Sequence, residues 1–282
     1  MRLDIRYDGT AFSGWAKQPR LRTVQGVVED ALAKHPPGAS VPGSIVVAGR
    51  TDAGVHATGQ VAHVDVASLA PGSTFRGLNV DTRGVPELER VRHRWNRYVA
   101  ADVRVTAIEV APGGFDARFS AVRRHYRYRV SDAPWGVDPL CRIDTLTWPK
   151  PLDVDRMNRA ADGLVGLNDF AAFCKQREGA TTIRELQQLS WQRVGDHVIE
   201  ATVSADAFCH SMVRSLVGAS LLVGDGRRAV NWPAELLQKG ERSSAVAPAH
   251  GLTMTGVDYP DNDSLAARAE ASRRMRSLGD GR

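Results

Sequence analysis

The amino-acid sequence predicts an α+β protein made of two related halves, each a split β-α-β unit of the ferredoxin-like kind. Three observations predict it. Apolar residues recur with period two in some segments and with helical spacing in others. The order strand, helix, strand, strand, helix, strand can be read twice along the 282 residues. A turn-forming stretch, Ala111-Pro112-Gly113-Gly114, stands between the two readings. The expected divisions are residues 1–112, residues 113–261 and a basic, polar tail at 262–282.

In the first half, Leu3, Ile5 and Tyr7 alternate with charged residues and mark a strand, which Asp8-Gly9-Thr10 turns. Thr23 caps the next helix, where Val24, Val27, Val28, Ala31 and Leu32 keep helical spacing. Pro36-Pro37-Gly38 stops that helix. A second strand is expected near 44–48 and a third near 60–67. Residues 86–99 read as a highly charged helix, and Val103 to Val110 as the fourth strand.

The second half opens with a strand at His125 to Val130. A helix is expected over 153–164, beginning after Asp153 or Pro151, and strands near 184–194 and 197–204. A long helix over 208–223 and a last strand from Leu252 to Asp258 complete the repeat. The tail from 262 is polar and ends Gly279-Asp280-Gly281, which predicts frayed chain or a solvent-exposed helix.

Composition narrows the function. With 43% hydrophobic and 24% charged residues, the chain has the make-up of a folded globular protein with an ample core. Its net charge of +5 is compatible with an anionic partner without requiring one. Cys141, Cys174 and Cys209 are odd in number and far apart in sequence. They fit neither a disulfide framework nor a zinc site, and predict reduced thiols in a cytoplasmic protein. The start alternates charged and apolar residues, unlike a signal peptide. The longest apolar stretch, Leu216 to Gly224, is too short to span a bilayer, so no membrane partner is expected.

Three constellations could carry chemistry. The first is Gly49-Arg50-Thr51-Asp52-Ala53-Gly54-Val55-His56-Ala57-Thr58-Gly59-Gln60. Its glycines allow positive φ and close approach of a ligand. Arg50 and Asp52, two apart, would project to one side of an extended segment, where the arginine holds the carboxylate ionised or binds phosphate. The plainer reading is a glycine-rich turn with a surface ion pair. No Gly-Lys-Ser/Thr follows, so it is not a nucleotide-binding P-loop. Asp52, His56, His63 and Asp65 suggest a metal site, but His63 and Asp65 share one strand face and read better as its polar outer side.

The second constellation runs from Ala117 to Arg129, where five arginines occur with no acid between Asp116 and Asp132. Alternation puts Tyr126 and Tyr128 on one face and Arg127 and Arg129 on the other. Arginines bind phosphates and aromatic rings stack on unpaired bases, as in RNA recognition. A half-buried strand with core tyrosines and a solvated basic face fits equally. The third is the segment Phe208 to Val223, apolar most of the way round and therefore a buried helix. Arg214 sits at the edge of its apolar stripe. It either snorkels to the surface or needs a carboxylate or phosphate, for which Asp52 is a candidate.

Taken together and in order, these words resemble one family. They are Tyr7-Asp8-Gly9-Thr10 with Phe12, Gly14 and Trp15; Thr23-Val24-Gln25-Gly26; and Ala48-Gly49-Arg50-Thr51-Asp52-Ala53-Gly54-Val55-His56-Ala57 with Gly59-Gln60-Val61. Further along stand Phe115-Asp116-Ala117-Arg118-Phe119-Ser120-Ala121, Tyr126-Arg127-Tyr128, Gly166 with Asn168-Asp169-Phe170, and Phe208 with His210, Met212-Val213-Arg214 and Val217-Gly218. Ala247-Pro248-Ala249 with Gly251-Leu252 closes the set. The chain resembles the TruA-type tRNA pseudouridine synthases over roughly residues 3–260.

The resemblance implies two ferredoxin-like halves sharing a mixed, mainly antiparallel sheet, with the active site in the cleft between them. It implies an isomerase that needs no cofactor and no metal. A uridine in the anticodon arm of tRNA, at positions 38 to 40, is detached at its glycosidic bond, turned over and rejoined through carbon 5. The family's indispensable aspartate aligns with Asp52, its pocket tyrosine with Tyr126 and its pocket arginine with Arg214. Arg50, beside Asp52, is a further candidate for binding the displaced phosphate. The implied partners are the tRNA anticodon stem-loop and a second copy of the chain in a homodimer. Two departures stand out: residues 81–99 are longer and more charged than the family's stretch, and Ser215 replaces its usual asparagine. A non-catalytic RNA-binding protein on an RRM-like scaffold would explain the basic strand but leave Asp52 and Arg214 without purpose. A metal-dependent hydrolase built on Asp52, His56 and His63 lacks further carboxylates.

Overall fold

The computed structural model describes residues 1–34, 45–65, 74–75, 78–79, 87–175, 179, 181–240, 242 and 245–274. The chain forms two compact units. One comprises Met1–Ala121 together with Tyr259–Arg273, and the other Val122–Asp258.

The first unit runs β1 (Arg2–Tyr7), α1 (Val24–Lys34), β2 (Val46–Val47), β3 (His56–His63), a small hairpin of β4 (Thr74–Phe75) and β5 (Leu78–Asn79), α2 (Leu88–Tyr98) and β6 (Val103–Glu109). β1 lies between β3 and β6 and is antiparallel to both, while β2 pairs on the far side of β3. This fourth-first-third-second order is that of a split β-α-β unit, as expected. Leu3, Ile5 and Tyr7 on β1 and Val103 and Val105 on β6 point into the core, with Val24, Val28, Ala31 and Leu32 of α1 and Val91 and Trp95 of α2. Thr23 does cap α1, its hydroxyl accepting from Gly26 N at 3.3 Å.

The second unit runs β7 (Arg123–Ser131), β8 (Leu146–Thr147), α3 (Val154–Asp162), β9 (Gly166–Asp169), β10 (Ile183–Arg193), β11 (Val198–Ala205), α4 (Met212–Gly224), α5 (Trp232–Lys239) and β12 (Leu252–Asp258). β7 pairs with β12 and β11, and β11 with β10, all antiparallel, which repeats the order of the first unit. β8 adds parallel to β7 and β9 antiparallel to β10. Asp153 starts α3 by accepting from Arg156 N at 2.9 Å. All of α4 is buried except Arg214 and Leu222. The α+β class read from the sequence holds.

Several expectations need correction. β3 begins at His56, so its strand takes in half of the glycine-rich stretch. The α1 stop at Pro36-Pro37-Gly38 and the end of the third strand at Val66 and Ala67 fall outside the described residues. The first unit extends past the expected division at 112, because His63 anchors the next segment: its Nδ1 accepts from Ala117 N at 3.0 Å, and its ring meets Phe115 edge-on. His63 is therefore no outward-facing polar residue. Burial lowers its pKa, against the opposing pull of Asp116 and Asp65.

The tail carries a helix, α6 (Leu265–Arg273), that packs on the first unit through Leu265 and Ala269. Ser120 Oγ donates to Leu265 O at 3.1 Å and Tyr259 Oη to Ala117 O at 2.8 Å, which ties it down. Cys174 and Cys209 are not separate thiols: the fold brings the turn after β9 to the start of α4 and joins them in a disulfide with Cα atoms 5.7 Å apart. Spacing 35 residues long gave no sign of it. Among the described residues no helix is long and apolar enough to cross a membrane.

Candidate functional site

In the first unit, Arg50 and Asp52 stand on the connection between β2 and β3. The connection turns at Asp52. Val55 N donates to Asp52 O at 3.2 Å, closing a four-residue turn with Gly54 in its third position at φ +78°. That conformation favours glycine. Arg50 is exposed and Asp52 half-buried.

The turn rests on a second loop, which follows β1. Trp15 N donates to Thr51 O at 3.0 Å, and Gly54 N to Phe12 O at 3.3 Å. Two glycines of that second loop make the approach possible. A Cβ on Gly9 would lie 2.0 Å from the carbonyl oxygen of Val55. A Cβ on Gly14, whose φ is +93°, would lie 3.0 Å from Thr51 O and 3.4 Å from the carbonyl carbon of Asp52. Beneath the turn runs a buried polar chain. Tyr7 Oη and Thr51 Oγ1 are 2.7 Å apart, and Gln60 Nε2 donates to Tyr7 Oη at 3.2 Å and to Gly49 O at 2.8 Å. Residues 49 and 51 are thus held from below on either side of Arg50, and Asp52 follows directly. Burial pushes the Tyr7 hydroxyl up to about 12, against the hydrogen bonds from Thr51 and Gln60. A group so reluctant to ionise is a fixed neutral strut.

His56 is a strut as well. It is 5% exposed, and Gly9 N donates to its Nδ1 at 3.0 Å. Asp8 Oδ1 lies 3.1 Å from the same nitrogen. Burial raises the Asp8 carboxyl, but hydrogen bonds from the Thr10 hydroxyl at 2.6 Å and amide at 3.0 Å outweigh it and hold the pKa below its ordinary value. Among the described residues no three His, Cys, Asp or Glu side chains converge as a metal site. The sequence motif showed Asp52 but not what supports it. Tyr7, Gly9, Gly14 and Gln60 read only as strand and turn residues, and just the closeness of their motifs to the family's signalled more.

In the second unit, Tyr126 stands on β7, opposite Val203 of β11 and Met254 of β12. It is 7% exposed, and Phe208 meets its ring edge-on at 5.1 Å and 86°. Arg214 lies in the first turn of α4, just after Ser211, which adopts a left-handed φ of +65° unusual for a residue with a side chain. Arg214 Nε donates to Ala247 O at 2.7 Å, and Ala247 N returns a bond to Arg214 O at 2.9 Å. One turn on, Gly218 admits the same segment: a Cβ there would lie 2.4 Å from Ala245 O. The segment's other end is pinned by Tyr128, whose hydroxyl donates to Pro248 O at 2.9 Å. Burial raises the Tyr128 pKa and the charge of Arg214 opposes the rise.

The basic face of β7 is not open to a ligand in the way its sequence suggests. Arg127 and Arg129 both reach Asp144 at 3.1 Å, with Glu200 at 3.7 and 3.9 Å. Arg124 is buried and donates to Asp206 O, and Arg123 Nε donates to Gln187 Oε1 at 2.7 Å. The partners come from β10, β11, the residue after β11 and the connection before β8, which charge counting along one strand does not reveal.

Known proteins match this chain along nearly its whole length. A family model described as tRNA pseudouridine synthase matches residues 5–105 and 160–260. These ranges take in Arg50, Asp52 and Arg214, and Tyr126 lies between them. The tRNA pseudouridine synthase A of Frankia casuarinae is 55% identical over 280 residues, which cover 98% of this chain and 95% of the relative. The proteins of the same name from Mycobacterium leprae and Streptomyces avermitilis are each 53% identical over 281 residues. They cover 98% and 99% of this chain, and 95% and 94% of their own. By sequence along both of its units, the chain belongs to the tRNA pseudouridine synthase family.

Proposed function

We propose that the chain isomerises uridine to pseudouridine in the anticodon arm of tRNA, at positions 38 to 40, with Asp52 as the catalytic carboxylate. The observation that carries this reading is the match to tRNA pseudouridine synthases over both units, with Asp52 inside the matched ranges. The geometry around Asp52 supports it. The reaction needs a carboxylate beside the sugar–base junction, held to within a fraction of an ångström. Asp52 sits at the head of a turn braced by two backbone hydrogen bonds, two glycine contacts and a buried polar chain. A turn that only reversed the chain would need none of these.

The remaining roles follow from chemistry. A uridine within a stem must be turned out of the stack before its glycosidic bond can be reached. Arg50, exposed beside Asp52, receives the displaced phosphate. Tyr126, fixed edge-on by Phe208, offers its ring to the flipped base. Arg214, aimed by Ala247 O, binds the substrate as a fixed cation. The chemistry asks for no cofactor and no metal. The enzyme works in the cytoplasm as a homodimer.

The test is tritium release from tRNA labelled at uridine carbon 5, since rejoining through that carbon expels its hydrogen. The wild-type chain releases tritium, while Asp52→Asn and Asp52→Ala bind tRNA but release none. Substantial turnover by Asp52→Asn would remove Asp52 from the chemistry.

A further inference from the structure

The loop on which the Asp52 turn rests covers residues 8–22, and both of its ends meet at one residue, Asp102, just before β6. The carbonyl oxygen of Asp102 accepts from Asp8 N at 3.0 Å, at the start of the loop. Its carboxylate takes Arg22, at the end of the loop, through two parallel bonds: Nη1 donates to Oδ2 at 2.7 Å and Nη2 to Oδ1 at 2.8 Å. Between these ends, Phe12 O and Trp15 N hold the turn through Gly54 N and Thr51 O.

Arg22 also reaches the middle of the loop. Its guanidinium carbon lies 4.1 Å from the centre of the Phe12 ring, which is buried. Ser13 N donates to Arg22 O at 2.8 Å. One guanidinium thus lies edge-on to a carboxylate and face-on to a ring, which a planar fork can do at once. Arg20, two residues earlier, adopts a left-handed φ of +63°, unusual for a residue with a side chain. The chain accepts strain in the bend that delivers Arg22. An ordinary surface ion pair is weak and calls for no such bend. The Arg22 hydrogen bonds hold the Asp102 carboxyl below its ordinary pKa, against burial, which raises it.

We propose that Arg22 and Asp102 are positioning residues for the reaction, a clamp that closes the 8–22 loop and, through Phe12, fixes the turn that holds Asp52. The inference rests on the reading of Asp52 as the catalytic carboxylate given above. The clamp differs from a phosphate-binding arginine in what it requires. It depends on the planar fork and its stacked face, whereas phosphate binding depends chiefly on charge. A lysine at position 22 keeps the charge and loses the fork.

The test measures single-turnover tritium release and tRNA affinity for the wild type, Arg22→Lys, Asp102→Asn, the double variant and Lys17→Gln. Lys17 pairs with Glu29 at 3.0 Å from the same loop and serves as control. All rates are taken well below the lowest melting midpoint, so that only folded protein is compared. Misplacing a reacting group by about 1 Å costs on the order of 100-fold in rate, and a loop freed at one end shifts its middle by less, so Arg22→Lys and Asp102→Asn should each slow release roughly tenfold. Affinity for tRNA should stay at the wild-type value. The double variant should be no slower than the slower single one, because each change opens the same clamp. Lys17→Gln should keep the wild-type rate. Wild-type release by either clamp variant overturns the proposal. So do losses that multiply in the double variant, a loss of affinity in place of rate, or an equal loss in the control. A wild-type chain that releases no tritium, or an Asp52→Asn chain that still does, would instead overturn the functional reading.

Discussion

Gly9→Ala should disable the site without touching Asp52. The added Cβ would fall 2.0 Å from the carbonyl oxygen of Val55, whereas ordinary contact begins at 3.4 Å. The Gly9 loop and the Asp52–Val55 turn must therefore part by about 1.4 Å, the difference between those two distances. Overpacking of this kind costs about 1–3 kcal/mol. Separation also breaks the buried bond from Gly9 N to His56 Nδ1, worth about 1 kcal/mol. The melting temperature of a chain this size should fall by roughly 5–10 °C. Catalysis should suffer more, because a reacting group misplaced by about 1 Å loses on the order of 100-fold in rate. Single-turnover tritium release measures the rate, calorimetry the stability and filter binding the tRNA affinity, which should stay within a few-fold. Gly14→Ala tests a different cause: its Cβ would stand 3.0 Å from Thr51 O, only a few tenths of an ångström too close, but its φ of +93° strains any side chain, so a loss there comes chiefly from the backbone. Wild-type turnover by Gly9→Ala would refute the claim that a bare Cα at this position sets the turn.

Other perturbations separate the remaining parts of the account. Gly218→Ala puts a Cβ 2.4 Å from Ala245 O, so it should displace the segment that holds Arg214 and raise the KM for tRNA by roughly tenfold, as steady-state kinetics would show. An unchanged KM would detach Arg214 from substrate binding. The Tyr7 hydroxyl is raised by burial from its ordinary 10.0 to about 12. Its contribution to stability is thus complete below pH 10 and lost as pH climbs through 12, so Tyr7→Phe should flatten the alkaline fall in melting temperature. Asp132 behaves oppositely: burial raises its carboxyl, but hydrogen bonds from Arg193 and Leu152 N prevail and lower it below its usual 3.8. That stability is present above 3.8 and drains away as pH falls through the folded value. Asp132→Asn should therefore show a shallower acid-side fall than the wild type, by thermal melts between pH 5 and 2.

Local rules made much of the fold legible. Alternation marked β1 because it has one buried face. The all-round apolar run marked α4, which is buried on nearly every side. Thr23 and Asp153 marked helix starts because a capping side chain acts within three residues of itself. What escaped depends on distance along the chain. β3 starts at His56 although Thr58 and Gly59 interrupt its pattern, since pairing with β1 decides it. α6 is alanine-rich and weakly patterned, and what pins it to the first unit, the buried Leu265 and Ala269 with hydrogen bonds to Ser120 and Ala121, lies far away in sequence. The cysteine pair and the ion pairs of Arg127 and Arg129 join residues that spacing leaves unrelated. The site shows the same division. Asp52 stood out because a carboxylate in a glycine-rich stretch is conspicuous. Its supports, Tyr7, Gly9, Gly14 and Gln60, lie on other elements and become supports only when the sheet forms.

The most direct test of the central claim is to map pseudouridine, nucleotide by nucleotide, in unmodified tRNA incubated with the pure chain or with Asp52→Asn. The account predicts pseudouridine at positions 38 to 40 with the wild type and none with the variant. Pseudouridine elsewhere in the tRNA, or at the same positions with Asp52→Asn, would contradict it.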